Sequence, residues 1–201
     1  MIFHLKSAAL PKGSKKQLAT LFVVASQTST ENAFISGSSL NQLSNTAQTQ
    51  INSAINSERF KGTTGQHISV FDDELHLHSV VVGVGQIKDE ALTARALGQQ
   101  IANHCKQYSI DTAAVLIDDA SSNSDELIKH SGIGAADANY NFEAPYDSKY
   151  KQNSKKWATD RARTLTLLLS KSPNAAQKSI FAQACGIAEG IALTKHLGNL
   201  P

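Results

Sequence analysis

The chain has 201 residues, of which 41% are hydrophobic and 18% charged, with a formal net charge of +2. That length supports one well-filled core, and so small a charge imbalance by itself predicts nothing about partners. No apolar run approaches the roughly 20 residues that span a bilayer, the start Met1-Ile-Phe-His-Leu-Lys6 lacks the order of a secretory signal, and two distant cysteines, Cys105 and Cys185, suit a reducing cytoplasm.

Ile2 to Leu5 alternates weakly and predicts a first strand; Pro11 to Ser14 is a turn by composition. Leu18 to Ala25 is a nearly continuous apolar run of strand length, the pattern of a strand buried on both faces. From Ser38 to Phe60, Leu40, Leu43, Ala47, Ile51, Ala54 and Ile55 recur at three and four, which is one face of a helix. Gln66 to Phe71 and Leu75 to Val84 read as two strands joined by Asp72-Asp-Glu74, a hairpin. Ala91 to Tyr108 predicts a helix with Leu92, Ala96, Leu97, Ile101 and Cys105 on one side, and Ala113 to Ile117 another buried strand.

The stretch from Asp118 to Asp160 is less regular. Asp125 to His130 predicts a short helix, interrupted by Gly132-Ile-Gly134, with a second helical piece from Ala135 to Phe142. Pro145 to Lys156 reads as a polar, basic connector, and Arg163 to Leu169 as the last strand. The chain closes with a helix over 173–198, introduced by Ser172-Pro173-Asn174, with Ile180, Ala184, Ile187, Ala188, Ile191 and Leu197 as its apolar stripe. Gly198, Asn199 and Pro201 stop it in the order in which helices end. This order of elements predicts a single α/β domain over 1–201, three-layered, with a mixed, mostly parallel sheet flanked by helices.

Several residues invite a chemical reading. His76 and His78 are two apart on an expected strand and would share a face, with His67 on the neighbouring strand as a third imidazole. The simpler reading is the polar face of a hairpin. Gly83-Val-Gly85 follows a strand and precedes a helix, where a phosphate loop sits, but Lys88 stands where the dinucleotide pattern needs a third glycine. A tight strand-to-helix turn explains the same residues. Asp118 and Asp119 end a buried strand at the sheet edge that takes ligands in α/β folds, yet adjacent strand residues point to opposite faces. Neither cysteine carries a cue for nucleophilic use. Lys149, Lys151, Lys155, Lys156, Arg161 and Arg163 cluster with Tyr150 and Trp157, a mixture that contacts phosphates and stacks on bases. Lys151, Lys155, Lys156 and Arg161 are the candidate DNA contacts; Asp147 and Asp160 dilute the charge, and a solvated connector is the plainer reading.

The closing helix carries a family resemblance. In leucyl (cytosol) aminopeptidases a helix of the form Gly-x-x-x-Gly/Ala…Lys/Arg-x-Leu-Gly-Asn-x-Pro ends the N-terminal domain. Gly186, Gly190, Lys195, Leu197, Gly198, Asn199 and Pro201 fit that form. Val80-Val-Val-Gly-Val-Gly85 and the strand before the closing helix are similar to the same domain. The resemblance implies a macro-domain-like fold and the non-catalytic, amino-terminal half of a cytoplasmic metallo-aminopeptidase. Its parent would hydrolyse N-terminal residues from peptides as a homo-hexamer. The resemblance places two divalent metals, zinc or manganese, in a C-terminal catalytic domain, and the Asn-Thr-Asp-Ala-Glu-Gly-Arg stretch of that domain does not occur here. It therefore implies no catalytic residue, metal ligand or cofactor in this chain, and its own catalytic domain as partner. Some members of the family bind DNA, which keeps the basic connector in view. A stand-alone macro-like module for a nucleotide or ADP-ribose, and a DNA-binding accessory domain, are the alternative readings.

Overall fold

The apolar run near residue 21 becomes the middle of the sheet. In the computed structural model, β2 (Ala19–Ser26) lies between two parallel neighbours, β5 (Leu77–Gly83) and β6 (Thr112–Ile117). Both faces of β2 are covered, with Leu21, Phe22, Val23 and Ala25 at 1% exposure or less. Leu21, Phe22 and Val23 each contribute roughly 1.5–3 kcal/mol by leaving water, and burial on both faces is why this segment is a strand although nothing in its sequence alternates. The structure describes residues 2–7, 10, 11, 13, 19–26, 34, 35, 43–56, 60–86, 89–117, 124–140, 164–169 and 171–199.

The sheet runs β1 (Ile2–Ser7), β7 (Thr164–Leu169), β6, β2, β5, β4 (His67–Asp72), and the short β3 (Phe34–Ile35) pairs antiparallel with the end of β2. Pairings along the main path are parallel except for β4 with β5, the expected hairpin. Two cores flank this sheet. On one face Phe22, Val80, Val82, Val115 and Leu167 pack under α2 (Glu90–Gln107), α3 (Ser124–Asn139) and α4 (Ala175–Gly198). On the other, Leu21, Val23, Val81 and Leu116 meet α1 (Asn45–Ile55) through Ala47, Ile51 and Ile55. The three layers and the mixed, mostly parallel sheet match the expected class.

Local chemistry sets the helix ends, and in places it moves them. The α1 helix starts at Asn45 because the Ser44 hydroxyl accepts the Ala47 N–H at 3.2 Å; the expected start at Ser38 falls outside the described residues. Asp89 caps α2 through the Leu92 N–H at 2.9 Å. Leu92 itself is 66% exposed, not part of the buried stripe. It stands about 140° around the helix from Leu97, and Ala94, Gly98 and Ala102 fill the stripe instead. The closing helix begins at Ala175, two residues later than expected. Asn174 accepts the Gln177 N–H at 2.8 Å while the Gln177 side chain accepts the Asn174 N–H at 3.0 Å, a reciprocal cap that leaves Pro173 outside.

Gly132 and Gly134 do not interrupt a helix. Residues 124–139 form one helix, and the glycine at 134 allows it to touch α2 backbone to backbone. A Cβ at Gly134 would lie 2.0 Å from the Arg95 carbonyl oxygen, and one at Gly98 would lie 2.0 Å from that of Ser131. Helix α4 also departs from its expected stripe. Gln177, Ala184 and Ala188 are buried and Ile180 and Phe181 pack on the core, while Ile187 and Leu197 are exposed.

Candidate functional site

The loop at the end of β5 is the first candidate, because it sits where open α/β sheets receive ligands. The backbone donors of Gly83, Val84 and Gly85 are already engaged. Gly83 N–H bonds Gln66 O at 2.7 Å, Val84 N–H bonds Ala25 O at 2.8 Å, and Gly85 N–H bonds Gly62 O at 2.8 Å. A phosphate loop needs such groups free and convergent. The glycines have a packing reason instead: Gly85 has φ of +72°, and a Cβ at Gly83 would lie 2.5 Å from Thr63 O. Residues 62–66, which lead into β4, thus fold closely over the end of β5.

The imidazoles are rearranged relative to the sequence expectation. His76 is not on a strand; it sits in the hairpin turn with φ of 49°. His67 and His78 do share the sheet face under α2, but His67 pairs with Val82 and His78 with Phe71. Four residues of strand, about 13 Å, separate the two positions. A third imidazole enters from α2: the His104 ring lies 5.1 Å from that of His67, 5.5 Å from Phe22 and 4.5 Å from Tyr108. His78 stacks on Phe71 at 4.7 Å. The Nε2 atoms of His78 and His104 are buried and meet no hydrogen-bond partner among the described residues. Burial, then the neighbouring His67 and His78, lowers the His104 pKa to about 4; burial also lowers that of His78. His104 was not among the sequence candidates. Its spacing from Leu97 and Ile101 on the same helix was the signal that places it inward.

No group of three or more His, Cys, Asp or Glu side chains is placed to hold a metal ion among the described residues. Burial pushes the Cys105 thiol up to about 12 and raises Cys185, with Glu189 adding to the latter. Both therefore keep the unreactive thiol form at neutral pH. Asp118 and Asp119, and the basic segment with Lys151, Lys155, Lys156 and Arg161, lie outside the described residues. No described helix is long and apolar enough to cross a membrane.

What the described residues do build is a clasp and a bare helix face. Asp137 on α3 receives Lys195 from α4 at 2.5 Å, and Arg95 and Gln99 from α2 at 3.4 and 3.5 Å. Lys195 and its hydrogen bond hold the Asp137 pKa low, and the same ammonium lies 5.5 Å above the Tyr140 ring. Three helices are joined at one carboxylate, a contact that sequence spacing does not signal. Beyond it, α4 presents Leu193 at 59% and Leu197 at 58% exposure.

Residues 13–149 match the model of the cytosol aminopeptidase family, N-terminal domain. No curated protein sequence matches the chain. Among solved structures, a mutant of tomato leucine aminopeptidase superposes with a TM-score of 0.67 at 17% identity, over 100% of this chain and 38% of its own. The bottromycin maturation enzyme BotP in complex with Mn superposes with a TM-score of 0.57 at 14% identity, over 90% of this chain and 32% of its own. The chain thus spans well under half the length of either structure, and at these identities the likeness concerns the fold.

Proposed function

Because the chain belongs to the cytosol aminopeptidase family, as its N-terminal domain, we propose that it is the non-catalytic module of a metallo-aminopeptidase whose parent removes N-terminal residues from peptides. The observation that carries this reading is the family match over residues 13–149. The fold likeness over the whole chain supports it. On this reading 1–201 is one domain of macro-like architecture, and α4 leads to the catalytic portion. That portion would hold two divalent metals, zinc or manganese, which activate water and polarise the scissile carbonyl. The parent would work in the cytoplasm as a homo-hexamer, with this module positioning or shielding the catalytic half.

The test compares the 201-residue chain with the full-length parent on leucine p-nitroanilide, with Mn²⁺ or Zn²⁺ supplied and bound metal measured in parallel. The parent should turn over substrate; the chain alone should not, and should carry no stoichiometric metal. Turnover by the chain above a contaminant control would sink the proposal. DNA contact through Lys151, Lys155, Lys156 and Arg161 is a separate proposal that rests on sequence alone. Alanine at all four positions should flatten the salt dependence of duplex binding, and equal binding by both proteins would end it.

A further inference from the structure

We propose that the outer face of α4, formed by Gly186, Gly190, Leu193 and Leu197, is the surface on which the catalytic portion of the aminopeptidase packs, backbone close to backbone. The inference rests on the family reading above and names the contact surface that reading lacks. The four residues are spaced by four, three and four, which makes one stripe along a helix. Gly186 and Gly190 each follow a buried alanine, Ala184 and Ala188, by two positions, about 200° around the helix. The stripe therefore faces away from the domain's own core.

Nothing among the described residues explains its composition. A Cβ at Gly186 or at Gly190 would meet no atom of the described residues within 4 Å, so neither glycine makes room for any of them. Glycine in mid-helix weakens the helix relative to alanine. Within the same domain Gly98 and Gly134 show what such residues do when they have a partner, since each brings a second backbone to within van der Waals contact. On α4 the same device points outward, continued by two exposed leucines.

The occupant follows from the family and from charge. The chain belongs to the family as its N-terminal domain, and most of the tomato enzyme's length has no counterpart in it; on the proposed function a large second portion packs against this fold. Asn199 closes α4 through its N–H on Lys195 O and His196 O, which puts Leu193 and Leu197 in the helix's last two turns. An anionic lipid surface would need cations beside the leucines. Lys195 is instead turned to Asp137.

The experiment uses the full-length parent and the 201-residue chain, each as wild type, as Gly190→Leu, and as the double variant Leu193→Ser with Leu197→Ser. Thermal unfolding, trace proteolysis at the end of α4 and light scattering are read on all six proteins. In the parent, both variants should lower the unfolding midpoint by several degrees and speed cleavage. In the isolated chain the midpoint should stay level or rise, because the face is bare there. Unchanged unfolding and proteolysis in the parent would overturn the inference. So would a wild-type dimer of the isolated chain that the serine variants abolish, because a second copy would then be the occupant. Loss of the family reading is separately visible: a wild-type parent that does not hydrolyse leucine p-nitroanilide refutes the proposed function whatever the variants do.

Discussion

Gly98 and Ser131 stand so close that a Cβ on the first would lie 2.0 Å from the carbonyl oxygen of the second. Helices α2 and α3 are thereby fixed at backbone distance, and their shared surface covers one face of the sheet. Gly98→Ala forces the helices apart, and the expected cost is about 3 kcal/mol, the upper part of the usual range for overpacking. Gly186→Ala in the 201-residue chain should do the opposite and stabilise it by up to about 1 kcal/mol, since its Cβ meets open space. Urea unfolding of both variants checks the pair; equal effects would mean that the helix contact is looser than described.

Asp72 ties the β4–β5 turn to the start of α1. Its carboxylate accepts the N–H groups of Ser44 at 3.2 Å, and of Glu74 and Leu75 at 3.1 Å each. Burial alone would raise its pKa, but the Ser44 hydroxyl and these backbone donors together outweigh burial and hold it below 3.8. A depressed carboxylate contributes stability that is complete above the unfolded value and is lost as pH falls through the folded one. Asp72→Asn should therefore lose about 1–3 kcal/mol near neutrality and show a shallower decline below 3.8. Chemical unfolding as a function of pH checks both.

His104 predicts the reverse partner for its proton. The unfolded chain takes up a proton near 6.5, whereas the folded chain keeps the imidazole neutral down to about 4. Its neighbours His67, His78 and Tyr108 offer it no carboxylate. Stability is then complete above about 6.5 and falls with one-proton slope toward 4. Replacing it by His104→Leu should remove most of that slope. A slope that survives the substitution would point to His78 instead, whose pKa is lowered by the same burial.

Asp137→Ala removes the acceptor that joins Lys195 to Arg95 and Gln99. All three partners reach it near the surface, so the expected loss in global stability is below about 1 kcal/mol. The local effect should be larger: amide hydrogen exchange in the last turns of α4 should quicken while exchange in β2 stays unchanged. Uniform quickening across both would show that the clasp supports the whole core.

Much of the architecture was legible because burial on both faces leaves a run such as Leu21 to Val24 without any polar residue. The hairpin was legible from the polar Asp72-Asp-Glu74, although Asp72 itself ends β4 and the turn lies at 73–76. Position on a helix was less so. Leu92 and Leu197 have the chemistry of core residues, and only the turn of the helix decides that they face outward. Gly132 and Gly134 read as breakers because glycine weakens a helix in isolation; the α2 backbone that makes Gly134 useful is not visible from its own neighbours in sequence. His76 was expected on the strand but sits in the turn directly before β5, and His104 was missed because the rings it meets on the sheet, Phe22 and His67, come from β2 and β4. The family itself was legible from the closing helix, whereas the Asp137 clasp joins residues that no periodicity connects.

Among the described residues strand β1 has one neighbour in the sheet, β7, and Ile2 pairs with Thr164 and Ser7 with Leu169. During synthesis β1 thus waits for β7, far later in the chain, before it has this partner. Until then β6 lacks its β7 neighbour and presents a bare edge, and closing so long a loop is slow. Synthesis can complete the β2, β5 and β4 side of the sheet well before the β1 and β7 side, so during translation the half-made domain carries an open, apolar strand edge. That edge is where a chaperone would engage the nascent chain, and where misassembly would begin if the final strand were delayed.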